Sequence, residues 1–473
     1  MPRRPRAVVS APWVVVVVAA AGFAGANAPR VAAARDHDRR TDDRPSGKLV
    51  AACVVPRPTL AAAVGAEPAV KLGGISDLFV EAADADAAPG RRRAWVVTDR
   101  GPNGITRVDG RDQRTLAAPS FTPRILEMSI EWDPRQPRNL AVTLTGTLPL
   151  CTAAGNPVSG RPNGLGNDPT IVDPRGEGAI APHVDGVDTE GLVRTRAGTF
   201  WLAEEYRPSL LASDGDGVLR RRFVPAGVSL HGAGVEIVDA LPAVYDRRRD
   251  NRGFEALAIT PDETRLFALL QSPLDGSDPA ESRRLGNVRL LAFDPASGRP
   301  TAEYLYRLGD PEDRGYRKGT AAPDDGKLCA MVALGTTTLL VLEQGGDGLA
   351  RMYRVELGDA TDTLPQTIAG DSPPLESLAN LKKVEMRPVA KTLVADLEPL
   401  LPAMRQAAAD DPAKGAANGT PLKIEGLAVL DERHVALVND DDFGVREDAA
   451  DDPRARTCLW VVRLTDPLPL TKP

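Results

Sequence analysis

The sequence predicts an all-β protein, a β-propeller of six blades with seven as the alternative count, on three observations. A hairpin-like pattern recurs along the 473 residues, Gly 43 and Pro 42 supply turns for many short elements, and no long helical pattern separates the repeats. The pattern opens as GGISDLFV at 73–80, DTEGLVRT at 188–195, GFEALAIT at 253–260, KLCAMVAL at 327–334 and KIEGLAVL at 423–430. Each opening leads through a turn into a second apolar run: RAWVVTDRGP, TFWLAEEYRP, RLFALLQSP, TLLVLEQGG and HVALVNDDDFG. The separation is 14 residues from Glu190 to Glu204, Cys329 to Glu343 and Glu425 to Asn439. It is 15 from Glu255 to Leu270, and 22 from Ser76 to Thr98, where ADADAAPGRRR pads the turn. So constant a spacing is that of a β-hairpin. One hairpin cannot bury its own faces, so the units must stack on neighbours.

Weaker strands follow each hairpin, such as SLLASD at 209–214, VRLLAFD at 288–294 and ARMYRVEL at 350–357, and bring each unit towards the four strands of a blade. The run ILEMSIEWDPRQPRNLAVTLTGTLPL at 125–150 is either a sixth unit or the outer strands of the first. Residues 372–408 read as a partly helical insertion, placed in the fifth repeat.

At the start of the chain, three arginines, an apolar run centred on Val14 to Val18 and small residues up to Ala28 have the layout of a secretory signal over 1–28. An uncleaved anchor is the alternative, although the run is short for a spanning helix. Residues 29–47 are charged and aperiodic, a disordered leader. A single propeller domain over 48–470 is expected, exported to the periplasm or secreted, with no membrane association after cleavage and acting as a monomer. Loss of Arg3, Arg4 and Arg6 would take the net charge from -7 to -10, which argues against a nucleic-acid partner.

A propeller fastens its last blade to its first, and KLVAACVV at 48–55 and TCLWVVRL at 457–464 are the terminal strand-like runs fitted to do so. Their pairing would bring Cys53 near Cys458; a disulfide there, or four free buried cysteines with Cys151 and Cys329, are the two readings.

In an antiparallel hairpin the first residue of one strand lies beside the last of the next, so Glu190 and the Glu204–Glu205 pair share one end of a blade, as do Glu425 and the run from Asn439 to Asp442. Inner strands line the channel, and such ends converge on the axis. Converging carboxylates stay together when protonated, paired with arginine, or bound to a hard cation such as Ca²⁺. Glu190, Glu204, Glu255, Glu425 and Asp440 are the expected metal ligands.

The segments GGISDLFV with AWVVTDRGPNG, DTEGLVRTRAGTFWLAEEYRPSLL, NRGFEALAITPDETRLFALLQSPL and IEGLAVLDERHVALVNDDDFGV resemble, in this order, the bacterial phytase-like family described as having the esterase-like activity of phytase. The resemblance runs from Val70 to Leu464 and departs at Cys329, which stands where other repeats carry glutamate. It implies an exported propeller that hydrolyses phosphate or other esters. A serine-histidine triad is not visible: there is no G-x-S-x-G elbow, and the histidines are His37, His183, His231 and His434. A metal-assisted mechanism fits better, with Asp99 and Glu205 as catalytic candidates and Arg100, Arg207 and Arg252, beside the motif acids, as phosphate-binding ones. A non-catalytic propeller that binds a ligand or partner, and a lactonase-like hydrolase, are the alternatives.

Overall fold

The computed structural model describes residues 44–60, 70–82, 90–166, 168–275, 285–312, 326–345, 349–371, 374–408, 422–444 and 456–471. The expected signal peptide and the leader up to residue 43 lie outside them.

Each recurring hairpin forms the inner two strands of an antiparallel sheet. The first blade runs outward through Ile75–Val80, Arg91–Thr98, Arg124–Trp132 and Leu140–Pro149. The second comprises Thr189–Arg194, Phe200–Glu204, Ser209–Ser213 and Leu219–Pro225, with Glu236–Leu241 added in parallel at its edge. The third is Phe254–Ile259, Leu266–Leu270, Asn287–Asp294 and Arg299–Arg307. The fourth is Lys327–Ala333, Thr338–Gln344, Ala350–Glu356 and Ala390–Asp396. In the fifth, Lys423–Asp431, His434–Asp440 and Cys458–Arg463 are completed by Lys48–Val54 from the other end of the chain.

The inner strands stand side by side in chain order, and the fifth packs on the first. Among the described residues the propeller therefore closes with five blades, not the six or seven expected. Residues 125–150 supply the outer two strands of the first blade, separated from its inner pair by an inserted hairpin, Asn103–Val108 and Arg111–Leu116. The segment 372–408 is partly helical as read, with Leu378–Lys383 and Leu401–Ala408, but it completes the fourth blade through Ala390–Asp396 instead of interrupting the fifth.

Period-2 alternation sends the two faces of each sheet into two different interfaces. In the second blade Trp201 and Ala203 pack towards the third, whereas Phe200 and Leu202 pack towards the first. Trp201 lies against Phe223 of its own blade and Phe293 of the next, at 5.6 and 5.8 Å between ring centres.

The Glu-Gly-Leu motif has a separate reason for each residue. In all five inner strands the pairing register slips at the motif position, between Ile75 and Asp77, Thr189 and Leu192, Phe254 and Ala256, Leu328 and Ala330, and Ile424 and Gly426. Such a bulge re-aims the extra side chain, here Ser76, Glu190, Glu255, Cys329 or Glu425. The next position must be small because the neighbouring inner strand is close: a Cβ on Gly191 would stand 2.7 Å from Leu257 N, and one on Gly426 2.9 Å from Leu78 N. In the first blade Asp77 takes this place and accepts hydrogen bonds from Leu78 N at 2.7 Å and, across the blade boundary, from Leu192 N at 2.8 Å. The leucine then fills the interface, with Leu78, Leu192, Leu257 and Leu427 all buried.

The ring closes as the terminal strands predict, Lys48–Val54 lying antiparallel to Cys458–Arg463. The disulfide reading is corrected. Cys53 lies opposite Leu459 and Val54 opposite Cys458, so the two cysteines face opposite sides of the sheet and enter different cores. All four cysteines are free thiols. The leader boundary also moves: Arg44 Nη2 lies 3.2 Å from Asp310 Oδ2, and Ser46 bridges to Asp396, so residues 44–47 already belong to the propeller.

Two outcomes follow for stability. Gly191→Ala and Gly426→Ala should each cost about 1–3 kcal/mol through overpacking, read as lower melting temperatures, while Gly358→Ala, whose Cβ would meet nothing within 4 Å, should be near neutral. A reducing agent should leave the melting temperature unchanged, because no disulfide closes the ring.

Candidate functional site

The bulged side chains are the middle of three layers at one end of the channel. Two residues earlier, at or just before the start of each of these strands, stand Gly74, Asp188, Gly253, Lys327 and Lys423. The third layer follows the second strands. Thr98, Glu204, Leu270, Glu343 and Asn439 are fully buried, and the residues after them are Asp99, Glu205, Gln271, Gln344 and Asp440.

Acids from the first, second, third and fifth blades meet here. Asp188, Glu190 and Glu205, all of the second blade, are buried and offer one oxygen each within 4.8 Å of one another. Glu255 of the third blade and Glu425 of the fifth are close enough to act on Glu190, together with Asp188 and Glu205. Burial, then these acids, holds Glu190 and Glu255 well above the usual carboxylate range. Burial and then Asp188 push Glu205 up to about 8, and the same two causes hold Asp99 well above its ordinary value. Glu205 Oε1 and Glu255 Oε2 are buried without a hydrogen-bond donor.

The cations present are unevenly shared. Lys423 lies 2.8 Å from Asp442 and 3.5 Å from Glu425 and also contacts Asp440, so the fifth blade supplies one cation shared by three of its acids. Arg100 Nη1 lies 2.8 Å from Asp188 Oδ2, and its Nη2 lies 3.9 Å from Glu205 Oε2. Among the described residues Glu190 and Glu255 have no ion-pair partner; Glu255 has a hydrogen bond from Gln271.

The model of the phytase-like family, described as esterase-like activity of phytase, matches residues 70–443. The chain belongs to the phytase-like family. An uncharacterized secreted protein of Arthroderma benhamiae is 27% identical over 269 residues, which are 50% of this chain and 51% of that protein. The chain thus spans about half the length of this curated relative. Similar solved structures include a luciferin-regenerating enzyme, with TM-score 0.30, 9% identity and coverage of 85% of this chain and 97% of that one. Another is a putative oxidoreductase (glucose dehydrogenase) from Thermus thermophilus, with TM-score 0.27, 11% identity and coverage of 79% and 93%.

In this phytase-like chain the sequence-predicted residues divide by position. Glu190, Glu205, Glu255, Glu425, Asp440, Asp99 and Arg100 come together at the channel end. Glu204 does not join them as a ligand. Its oxygens already accept from the backbone of Asp188, Tyr206 and Arg207, from Ser209 Oγ, and from Arg222 Nη2 at 3.0 Å. Arg207 is likewise engaged, 3.0 Å from Asp168 and in contact with Asp246, with its side chain 2% exposed, so it neutralises acids and does not face a ligand. Cys329 gives no carboxylate, as its sequence implied, and burial keeps its thiol protonated by raising it far above the usual range. His434 lies outside the site, its Nδ1 2.9 Å from Asp431 and its ring against Trp132.

Asp188 and Lys423 were missed, although both stand two residues before a motif glutamate. Gln271 and Lys327 were missed too.

Glu205 has an ordinary carboxyl value of 4.5 when unfolded and about 8 when folded, so the folded state retains a proton that the unfolded chain releases between these values. Its contribution is present below about pH 4.5 and lost as pH rises through about 8. In chelator, the melting temperature should therefore fall from about pH 5 to about pH 8, and Glu205→Gln should flatten that slope.

Proposed function

We propose that the protein is an exported hydrolase of phosphate esters with a Ca²⁺ ion held by Asp188, Glu190 and Glu205 and supported by Glu255. The observation that carries this reading is the group of three buried carboxylates within 4.8 Å, beside orphaned oxygens of Glu205 and Glu255. An all-oxygen, all-carboxylate donor set suits a hard cation with flexible coordination. Once bound, the cation would reverse the local sign and polarise a phosphoryl oxygen.

The chain's own groups divide the remaining work. Arg100, fixed by Asp188, holds positive charge at the edge of the acids and offsets part of theirs. Asp99 is buried next to Arg100, and Gly101 N donates to its Oδ1 at 2.8 Å. Burial and then Asp188 raise its hold on a proton, so it suits a role in proton transfer. Glu205 serves as ligand and, through its oxygen near Arg100, ties the cation site to the arginine. Export is supported by the signal-like start of the sequence and by the secreted relative.

The test is release of phosphate from a phosphomonoester, with an aryl carboxylic ester in parallel. Calcium should support turnover and chelator abolish it, with Glu190→Gln losing the response to calcium. Asp99→Asn should lower kcat by about 10²-fold or more with the fold intact. If neither ester is turned over, yet calcium raises the melting temperature, the ligand-binding propeller takes the place of the enzyme.

A further inference from the structure

The hairpin inserted in the first blade plays no part in the reading above. It leaves directly after Asp99 and Arg100 and returns before Arg124, so its base is fixed at the acidic end of the channel. Its second strand pairs in parallel with Ile171–Val172, with Ile171 opposite Arg114. From there Arg114 Nε reaches Asp250 Oδ2 at 3.4 Å, across 136 residues of chain.

Asp250 opens the turn that leads into the inner strand of the third blade. That turn is pressed onto Glu205, since a Cβ on Gly253 would stand 2.1 Å from Glu205 O. Asn251 within it holds a left-handed φ of 54°, uncommon for a residue other than glycine, and its Oδ1 accepts from Arg100 Nη1. Arg100, Arg114 and Arg252 are thereby gathered around one corner beside Glu205. Arg100 is taken up by Asp188. Arg114 is different: its side chain is 25% exposed and its partner Asp250 54% exposed, so the pair is solvent-screened and weak. Arg252 is half-buried on the same turn. Both act on Glu205, easing its ionisation against the effect of burial.

We propose that Arg114 and Arg252 form a clamp for the anionic head of a substrate beside Glu205, and that the inserted hairpin serves to bring Arg114 to it. Two guanidinium forks on one corner match a tetrahedral oxyanion, which each contacts through paired N–H donors. The inference rests on the hydrolytic reading only for the word substrate; the clamp binds an oxyanion whether or not turnover follows.

Orthophosphate is the probe, titrated calorimetrically into the full chain with calcium present. Arg114→Gln and Arg252→Gln should each weaken binding about ten-fold or more, and Arg114→Lys should keep part of it by supplying charge without the fork. Arg107→Gln, an exposed change on the same hairpin, should stay within about two-fold of the parent. In the kinetic arm, the loss of kcat/KM for Arg114→Gln should be at least about five times greater on an aryl phosphate than on an aryl acetate, because only the phosphate carries the charge the clamp recognises. Melting curves confirm that each variant is folded, and Arg114→Lys stands in if the glutamine variant is not. Parent-like phosphate binding by folded Arg114→Gln, or an equal loss in Arg107→Gln, overturns the clamp. If neither ester reacts, the hydrolytic reading falls while the phosphate titration still decides the clamp.

Discussion

Buried carboxylates that converge on one axis repel each other, and the organisation of this channel follows from how the repulsion is met. Two unit charges 4 Å apart interact by about 4 kcal/mol at an effective dielectric constant of about 20. A domain is stable by only about 5–15 kcal/mol, so a few uncompensated pairs would decide whether it folds. The blades answer differently. The fifth brings its own cation, Lys423, to Glu425, Asp440 and Asp442. The first places Ser76 at its bulge and lends Arg100 to the acids of the second. The fourth presents Cys329 and Gln344, which carry no charge. Among the described residues Glu190 and Glu255 are the motif glutamates left without a cation, and there a proton or a metal ion has to supply the balance.

The same strands that create the repulsion also fix its geometry. A bulge turns the motif side chain towards the axis, and the small residue after it lets the next blade approach until backbone nitrogen meets what would be a Cβ. Neither device works alone. Without the bulge, alternation would leave the glutamate on an interface face; without the small residue, the inner strands could not close a ring of five. Asp77 meets the same constraint differently, replacing empty space with hydrogen bonds to its own blade and the second.

Much of this was legible in the sequence. The spacing of 14 residues gave the hairpins, the terminal apolar runs gave the closing strand pair, and the motif position gave Glu190, Glu255 and Glu425 as neighbours. Blade number was not, because the run at 125–150 reads equally as a sixth unit or as outer strands of the first blade, and only its pairing with Arg91–Thr98 across the inserted hairpin decides between them. The cysteine pairing turned on one residue of register, which no spacing reveals. Parity at a strand end likewise separates Glu204 from Glu205: adjacent in sequence, they point to opposite tasks. Arg114 had no local signal at all, since only the folded ring brings its hairpin to the turn before the third blade.

The residue that parity hides inside the blade has its own consequence for the channel. Glu204 pairs with Arg222, Glu343 with Lys391 at 2.8 Å, and Arg289 with Glu303 at 2.9 Å, all buried in successive blades. Such pairs return little net stability, because removing two charges from water offsets most of their attraction. Their geometry is another matter. Glu204 is held by five donors at the end of its strand, and Glu343 by Lys391, Tyr306 and Gly309 N at the end of its own. The next residue along, Glu205 or Gln344, leaves a backbone that cannot shift without breaking those bonds. A site that relies on carboxylates within a few ångströms of one another needs that fixity more than it needs added stability. The buried pairs thus position the channel residues from behind, and loss of Arg222 would disturb Glu205 although Glu205 lies in the turn after Phe200–Glu204 and Arg222 on the strand Leu219–Pro225.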